Sequence, residues 1–167
     1  MQEWNVQSGA RKSTISEKPF ADGDPVRSLL CINAEGVLLR HDLGEEEEWN
    51  SEGVKVLAQW MRVFRHDTSE QEQKKEALQS TEEVFLQMVE SLQTREEADH
   101  TEDEMALVYL MALFLERKRV LRPLGRPDEN NRQIYRHIGR KEEISVQTTT
   151  FDPQTLIRLS DQLEAIF

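Results

Sequence analysis

The sequence predicts an α+β fold in which a buried central helix is combined with two β-hairpins and further helices. Three observations carry this prediction: an unbroken apolar run at residues 105–115, a hairpin pattern over residues 26–43, and strand-like alternation over residues 134–147. A chain of 167 residues suits one domain. Its expected parts are a β-rich unit at 1–48, a helical core at 49–122, and a hairpin plus closing helix at 123–167.

The N-terminal part contains two strand patterns joined by a short turn. Residues 26–33 and 37–43 are apolar enough for strands, and the three residues between them end in Gly36, as in a tight hairpin. Pro25 precedes the first strand, which favours a position at the edge of the sheet. A further short strand is expected at residues 4–6.

Three helices are predicted in the middle of the chain. Apolar residues recur at spacings of three and four over residues 52–65 and over residues 70–93, as on amphipathic helices. The third helix, at about 102–122, contains the apolar run and begins at the capping-box pair Thr101 and Glu104. Eleven apolar residues are too few to cross a membrane, so we expect this helix to be buried in the core.

The last third of the chain carries strand signals and then a helix signal. Residues 134–138 and 144–147 alternate in polarity on either side of a turn, which predicts a second hairpin. Asp152 followed by Pro153 is typical of a helix start, because Asp caps free N–H groups and proline fits the first turn. The apolar residues that follow predict a closing helix.

The net charge of −11 is unevenly distributed, since residues 67–104 carry −10 and residues 105–167 carry +2. Such an acidic chain repels nucleic acid and anionic membranes, which argues against a general affinity for either. Cys31 is the only cysteine, which excludes an internal disulfide and a cysteine-based zinc site. With no secretory signal in residues 1–9 and no membrane span, we expect a cytoplasmic protein.

Several stretches resemble a family of uncharacterised bacterial proteins. They are Trp-Asn-Val at 4–6, residues 16–24 with the pair Gly23-Asp24, the hairpin with Ser28-Leu29-Leu30, the strand Arg40-His-Asp42 with Trp49, and Leu-Phe-Leu-Glu-Arg-Lys-Arg-Val-Leu at 113–121. Relatives often carry cysteines before the turn and after the Arg-x-Asp strand, which implies a small metal-binding knuckle. This chain has Ser13, Gly44 and the glutamates at 45–48 in those places. We therefore predict neither a metal nor a cofactor, and the family implies no activity.

No catalytic site is predicted. Two His-Asp pairs, at 41–42 and 66–67, are of the type that metal phosphohydrolases use, so metal-dependent hydrolysis stands as a third hypothesis. Cys31 lies in an apolar strand, where a thiol is inert. No glycine-rich loop precedes a helix in the way that a phosphate-binding loop requires.

Two hypotheses rank ahead of hydrolysis. The first is a non-catalytic domain that binds another protein through its acidic middle or through an apolar groove between helices, whose leftover apolar faces also allow a homodimer. The second is a nucleic-acid-binding accessory protein, because Arg132, Arg136 and Arg140 would share one strand face and Tyr135 would stack on a base. Its candidate residues are Arg117, Lys118, Arg119, Arg122, Arg126, Arg132, Arg136, Arg140 and Lys141.

Overall fold

The computed structural model of the chain describes residues 11–50, 52–148 and 151–167. Over these residues it has an α+β fold of three α-helices and two antiparallel three-stranded sheets, which confirms the predicted fold class. The elements are β1 (Pro25–Asn33), β2 (Leu38–Gly44), β3 (Val54–Val63), α1 (Glu70–Thr94), α2 (Glu102–Arg117), β4 (Leu121–Leu124), β5 (Arg132–His137), β6 (Glu143–Gln147) and α3 (Pro153–Ile166). None of the described helices has the length and apolarity that a membrane span needs.

The chain divides into two compact units, and the boundaries fall inside α1 and α3. Unit 1 is Met1–Val84 with Asp161–Phe167, and unit 2 is Phe85–Ser160. The expectation that the whole chain is one domain stays a prediction. The short strand expected at residues 4–6 lies outside the described residues.

The sheet of unit 1 has the strand order β2-β1-β3. The predicted hairpin is confirmed: Gly36 adopts a φ of +78° in the turn, and the N–H of Val37 donates to the Asn33 side chain at 2.9 Å. The expected edge position of β1 is wrong, because β3 pairs with its other side and makes it the central strand. The central position of β1 follows from its pairing with β3 alone and does not depend on the strand expected at residues 4–6.

The helix predicted over residues 52–65 is a strand, β3, in the structure. A β-bulge explains the error. Leu30 pairs with Ala58 but the next residue, Cys31, pairs with Val56, so Leu57 is an extra residue that shifts the alternation by one. The apolar residues that imitate an amphipathic helix also lie on both faces of the strand, since Leu57 and Ala58 are buried whereas Met61 is 51% exposed. The predicted helical core at 49–122 therefore contains β3 and the start of β4.

Two small apolar clusters hold the sheet of unit 1. Phe20, Val26 and Phe64 form one cluster. Leu29, Cys31 and Leu43 form the other, on the opposite face, and it is covered by Leu39, Trp49 and Val54. The loop that carries Trp49 therefore folds back over the sheet, and the glutamates before it are mostly exposed, as expected of a solvated acidic run.

Helix α2 of unit 2 contains the apolar run. Seven of its eleven residues are buried and four, including Leu110, are half-buried. The predicted capping box is present, since the Thr101 side chain accepts from the N–H of Glu104 and the Glu104 side chain accepts from that of Thr101. The prediction of a largely buried helix, started by this box, is confirmed.

Helix α2 ends at Arg117 rather than near residue 122. Arg119 has a φ of +62°, and the N–H groups of Arg119 and Val120 donate to the carbonyls of Glu116 and Leu115 at 3.0 and 2.9 Å. This is the Schellman arrangement that ends many helices. The chain then turns into β4, so Arg122 lies on a strand and not at the helix end.

The sheet of unit 2 has the order β4-β5-β6 and contains the predicted second hairpin. Strand β5 turns Gln133, Tyr135 and His137 inwards and leaves Ile138 exposed just beyond its end. The buried polar groups are satisfied: the Gln133 amide donates to backbone carbonyls, and the His137 Nδ1 accepts from the N–H of Arg140 at 2.9 Å. Helix α1 matches its predicted range, and α3 begins as predicted at Asp152.

Candidate functional site

Unit 2 contains a cavity of about 250 Å³ between the end of α1, the start of α2 and strand β6. Its apolar lining is formed by Val89, Leu92, Met105, Val108 and Val146. Its polar rim is formed by Gln93, Arg95, Glu97, His100, Arg132, Ser145 and Gln147. A concave apolar floor with a few polar groups around it is typical of a binding site.

Arg95 fixes the segment between α1 and α2 on one side of the rim. Its Nη2 donates to Glu104 Oε2 at 3.0 Å and its Nε donates to the carbonyl of Ser91 at 3.2 Å. Glu104 is only 3% exposed and is also part of the capping box. One carboxylate thus joins the end of α1 to the start of α2, which holds this wall of the cavity in place.

Arg132 fixes the opposite side of the rim. Its Nε donates to Ser145 Oγ at 2.8 Å and its Nη1 donates to Gln147 Oε1 at 3.1 Å. The guanidinium group therefore lies across two residues of the neighbouring strand. His100 completes the rim: its Nε2 lies 2.6 Å from the carbonyl of Leu92, and because a carbonyl only accepts, this nitrogen carries the hydrogen.

The free edge of β6 faces this cavity. The N–H of Thr148 donates to the carbonyl of Asn131 across the β5/β6 pair. Backbone groups of an antiparallel strand point alternately towards and away from the partner strand, so those of Ser145 and Gln147 point away from β5. Among the described strands β6 is the last of its sheet, and both residues line the cavity. The carbonyl of Ser145 already accepts from Arg132 Nη2 at 3.5 Å, so a further extended segment would pair with this edge through the N–H of Ser145.

The structure spreads the nine basic candidate residues over several elements. Arg117 and Lys118 end α2, Arg119 is in the following turn, Arg126 is in the loop after β4, and Arg140 and Lys141 are in the turn after β5. Arg132 lies at the cavity. Arg122 and Arg136 lie directly opposite each other on β4 and β5, and both are exposed.

Two features of the nucleic-acid hypothesis are wrong. Tyr135 is 3% exposed, and burial raises its pKa to about 12, so its ring is not offered to a base. Arg140 lies beyond the end of β5, so it does not continue the face that Arg132 and Arg136 share. What remains is the exposed pair Arg122 and Arg136, with the Glu143 carboxylate 3.9 Å from Arg136.

The His-Asp pairs of unit 1 do not form a metal centre. His41 and Asp42 project from opposite faces of β2, as neighbouring strand residues do. The His41 ring stacks on Trp49 with a centroid distance of 4.0 Å. Asp42 instead accepts from Ser28 Oγ at 2.6 Å and pairs with Arg40 and Arg62. Within the described ranges no group of three His, Cys, Asp or Glu side chains is placed to hold a metal ion.

Ser13, Gly44 and Glu47, which stand where the predicted resemblance implies cysteines, come together in this structure but do not form a cysteine-based metal site. Ser13 Oγ donates to Glu47 Oε2 at 2.8 Å, and the N–H of Gly44 donates to Glu47 Oε1 at 2.8 Å. These two hydrogen bonds, first that of Ser13, hold the pKa of Glu47 below its usual range. None of these three residues supplies a thiolate, and the side chains of Ser13 and Glu47 form a hydrogen bond with each other.

Cys31 and His41 show how strongly burial acts on this sheet. Burial raises the pKa of the Cys31 thiol to about 11, so the reactive thiolate is suppressed. Burial likewise lowers the pKa of His41, against the opposing effect of the Asp42 charge. Both effects agree with packing roles for these side chains.

Sequence reasoning missed the cavity. The sequence places Arg132 only among the basic candidate residues, and it gives no signal that brings Arg132 and His100 to one cavity. The signal was present only in part: residues 144–147 were predicted to form a strand, but which of its edges stays free depends on the sheet order. Comparison of the chain with protein-family models, with curated proteins and with solved structures finds no match. The resemblance to a bacterial family therefore stays a prediction.

Proposed function

We propose that this protein is a non-catalytic protein-binding domain, and that unit 2 binds an extended segment of a partner protein along β6. One observation carries the proposal: the free edge of a strand borders a cavity with an apolar floor. In this mode of recognition, backbone hydrogen bonds supply affinity and a neighbouring cavity selects one side chain. We also propose a cytoplasmic location, which the single buried cysteine supports.

The size of the cavity favours a peptide over a small-molecule ligand. Its volume of about 250 Å³ lies below the roughly 300–1,000 Å³ of sites that enclose a whole drug-sized ligand. It suits one large side chain. The apolar residues of the floor, among them Val89 and Val146, favour an apolar side chain of the partner. The rest of the bound segment would lie along Ser145 and Gln147.

The rim supports binding rather than group transfer. Arg95 is bonded to Glu104, Arg132 to Ser145, and His100 to a backbone carbonyl. Each of these side chains thereby holds a wall of the cavity. A wall that is already ordered loses little conformational entropy when a partner binds.

The test selects peptides from a random display library with the full chain and measures the affinity of the best peptide for two variants at one position. Ser145→Pro removes an N–H from the free edge, whereas Ser145→Ala keeps it. We expect Ser145→Pro to weaken binding at least about tenfold, since two or more edge hydrogen bonds are lost or displaced. Ser145→Ala also loses the hydroxyl that accepts from Arg132 Nε, so it is the reference for this tenfold loss and separates removal of the N–H from removal of that hydrogen bond.

Two readouts decide the result. The bound peptide should slow hydrogen exchange at the backbone amide of Ser145. Met105→Trp, which fills the cavity from a half-buried position, should also weaken peptide binding. Circular dichroism checks that the variants are folded. A peptide that binds Ser145→Pro as well as it binds Ser145→Ala, or a library that returns no binder, would refute the proposal.

The exposed pair Arg122 and Arg136 favours a second function, binding of single-stranded nucleic acid. Like charges directly opposite each other destabilise a sheet, and a bound phosphate would offset this repulsion. The test is fluorescence polarisation of a labelled oligonucleotide over a series of salt concentrations. Arg136→Gln should reduce the slope of the logarithm of the binding constant against the logarithm of the salt concentration by about 0.7. Arg158→Gln should not change this slope, because Arg158 lies on α3 and pairs with Asp103. Salt-independent binding, or none, would remove this candidate.

A further inference from the structure

Unit 1 contains a much smaller cavity that is lined by three arginine side chains. Arg11, Arg62, Arg65 and His66 line it, together with Gln73 and Glu76. The residues come from three places: the segment before the first sheet, the end of β3 with the loop after it, and the first turns of α1. The chain as a whole carries 32 acidic and 21 basic residues, so three arginines at one small opening stand out against its charge.

We propose that this cluster is an oxyanion site that binds a phosphate group. The inference is independent of the protein-binding function proposed for unit 2. The site would take either inorganic phosphate or the phosphate of a phosphorylated side chain, because both present the same terminal oxygens.

Arg62 supplies the buried positive charge of the site. Its side chain is 7% exposed, and its guanidinium lies 3.5 Å from Asp42 and 3.7 Å from Glu76. Burial lowers its pKa, with Asp42 acting in the opposite direction. Arg62 is thus held in place by two carboxylates and forms part of the cavity wall.

Arg11 and Arg65 supply the exposed charges. Neither forms an ion pair with a carboxylate among the residues that the structure describes; Arg65 Nη1 only approaches the carbonyl of Phe64 at 3.5 Å. Glu76 is the one carboxylate in the lining, and it is shared with Arg62. The Asp22 carboxylate lies next to the lining, because it accepts from the N–H of His66. Binding of the anion therefore depends on Arg11 and Arg65, whose planar guanidinium groups match the geometry of phosphate oxygens.

The dimensions limit what enters. The enclosed space is about 20 Å³, close to the volume of roughly 10–15 Å³ that one water needs. It admits a terminal oxygen or two and excludes a sugar or a base. Gln73 stands at the same opening, but its amide donates to Thr68 Oγ1 at 3.0 Å, so it shapes the wall instead of binding the anion.

The experiment is a two-dimensional amide NMR titration of the full chain with inorganic phosphate, at ionic strength held constant with sodium chloride. We expect saturable shifts at the amides of His66 and Gln73. Arg65→Gln and Arg11→Gln should each weaken binding about tenfold, the value expected for one lost charge-assisted hydrogen bond. Lys12→Gln is the matched control, because it removes an exposed charge next to Arg11 that is outside the lining and should leave the affinity within about twofold.

A second arm distinguishes the two sources of the phosphate. A phosphoserine peptide that binds more tightly than inorganic phosphate, while its unphosphorylated form does not bind, identifies a phosphorylated side chain as the ligand. Tighter binding of inorganic phosphate identifies the free anion. Shifts that do not saturate, or equal weakening by Lys12→Gln and Arg65→Gln, would show only screening of surface charge and would overturn the proposal.

Discussion

Replacing Asp42 by Asn should destabilise unit 1 strongly. The carboxylate is 4% exposed and lies 3.2 Å from the guanidinium of Arg40 and 3.5 Å from that of Arg62, whose side chains are 15% and 7% exposed. At an effective dielectric constant of about 20, each pair is worth roughly 5 kcal/mol before desolvation is counted. Loss of one member of such a buried network costs about 3–5 kcal/mol, because Arg40 loses its counter-charge and Arg62 is left with that of Glu76 at 3.7 Å.

Urea unfolding followed by tryptophan fluorescence measures this loss. All three tryptophans lie within the first 60 residues, and Trp60 packs on Phe167 and lies 5.3 Å below the Arg40 guanidinium, so their emission reports on unit 1. The control is Glu35→Gln, an exposed change in the hairpin turn that should stay within about 0.5 kcal/mol. A loss below about 1 kcal/mol for Asp42→Asn would mean that the network does not hold the sheet, and the reasoning would fail.

Four further measurements test local features. Arg119→Gly should stabilise the protein by about 0.5–1 kcal/mol, because glycine adopts the positive φ without strain, and calorimetry should show this as a higher melting temperature. An unchanged or lower melting temperature would contradict the Schellman ending. Cys31 should react with a thiol reagent only as fast as the chain unfolds, since its thiol is buried with a raised pKa; rapid labelling of the native chain would contradict this. In the folded chain the pKa of His41 lies below its unfolded value of 6.5, so the unfolded chain takes up the proton first. The free energy of unfolding, measured in urea, should therefore fall as the pH drops below about 6.5. In His41→Phe this pH dependence should be absent. Met111→Asp should unfold unit 2, which circular dichroism detects as a loss of helix signal. Leu110→Asp, at a half-buried position, should lower the free energy of unfolding by a smaller amount. Equal effects of the two variants would contradict the observed orientation of α2.

Features with a complete local signal were predictable from the sequence. The capping box at Thr101, the Asp152-Pro153 helix start and the Gly36 turn each involve residues within a few positions of one another. Such signals act through neighbouring backbone groups, so a single sequence contains them in full. The long apolar run likewise indicates a buried helix, because eleven apolar residues are too few to cross a membrane and are covered by packing instead.

Strand β3 shows where local reading fails. Its bulge at Leu57 is set by pairing with β1, some 25 residues away, and without that pairing the apolar spacing matches a helix better than a strand. The end of α2 is a related case: Arg119 takes the positive φ that sequence rules assign to glycine, so the stop was placed too late.

The sequence by itself determined the fold class, the helices α1 to α3, the two hairpins and the acidic character of the chain, because these depend on composition and on periodicity within single segments. Only the tertiary structure decided which edge of β6 stays free, that Tyr135 faces inwards, and that Arg11, Arg62 and Arg65 meet at one opening. These features depend on how distant segments pair and pack, and the free energy of that packing is shared among contacts that no single stretch of the chain contains.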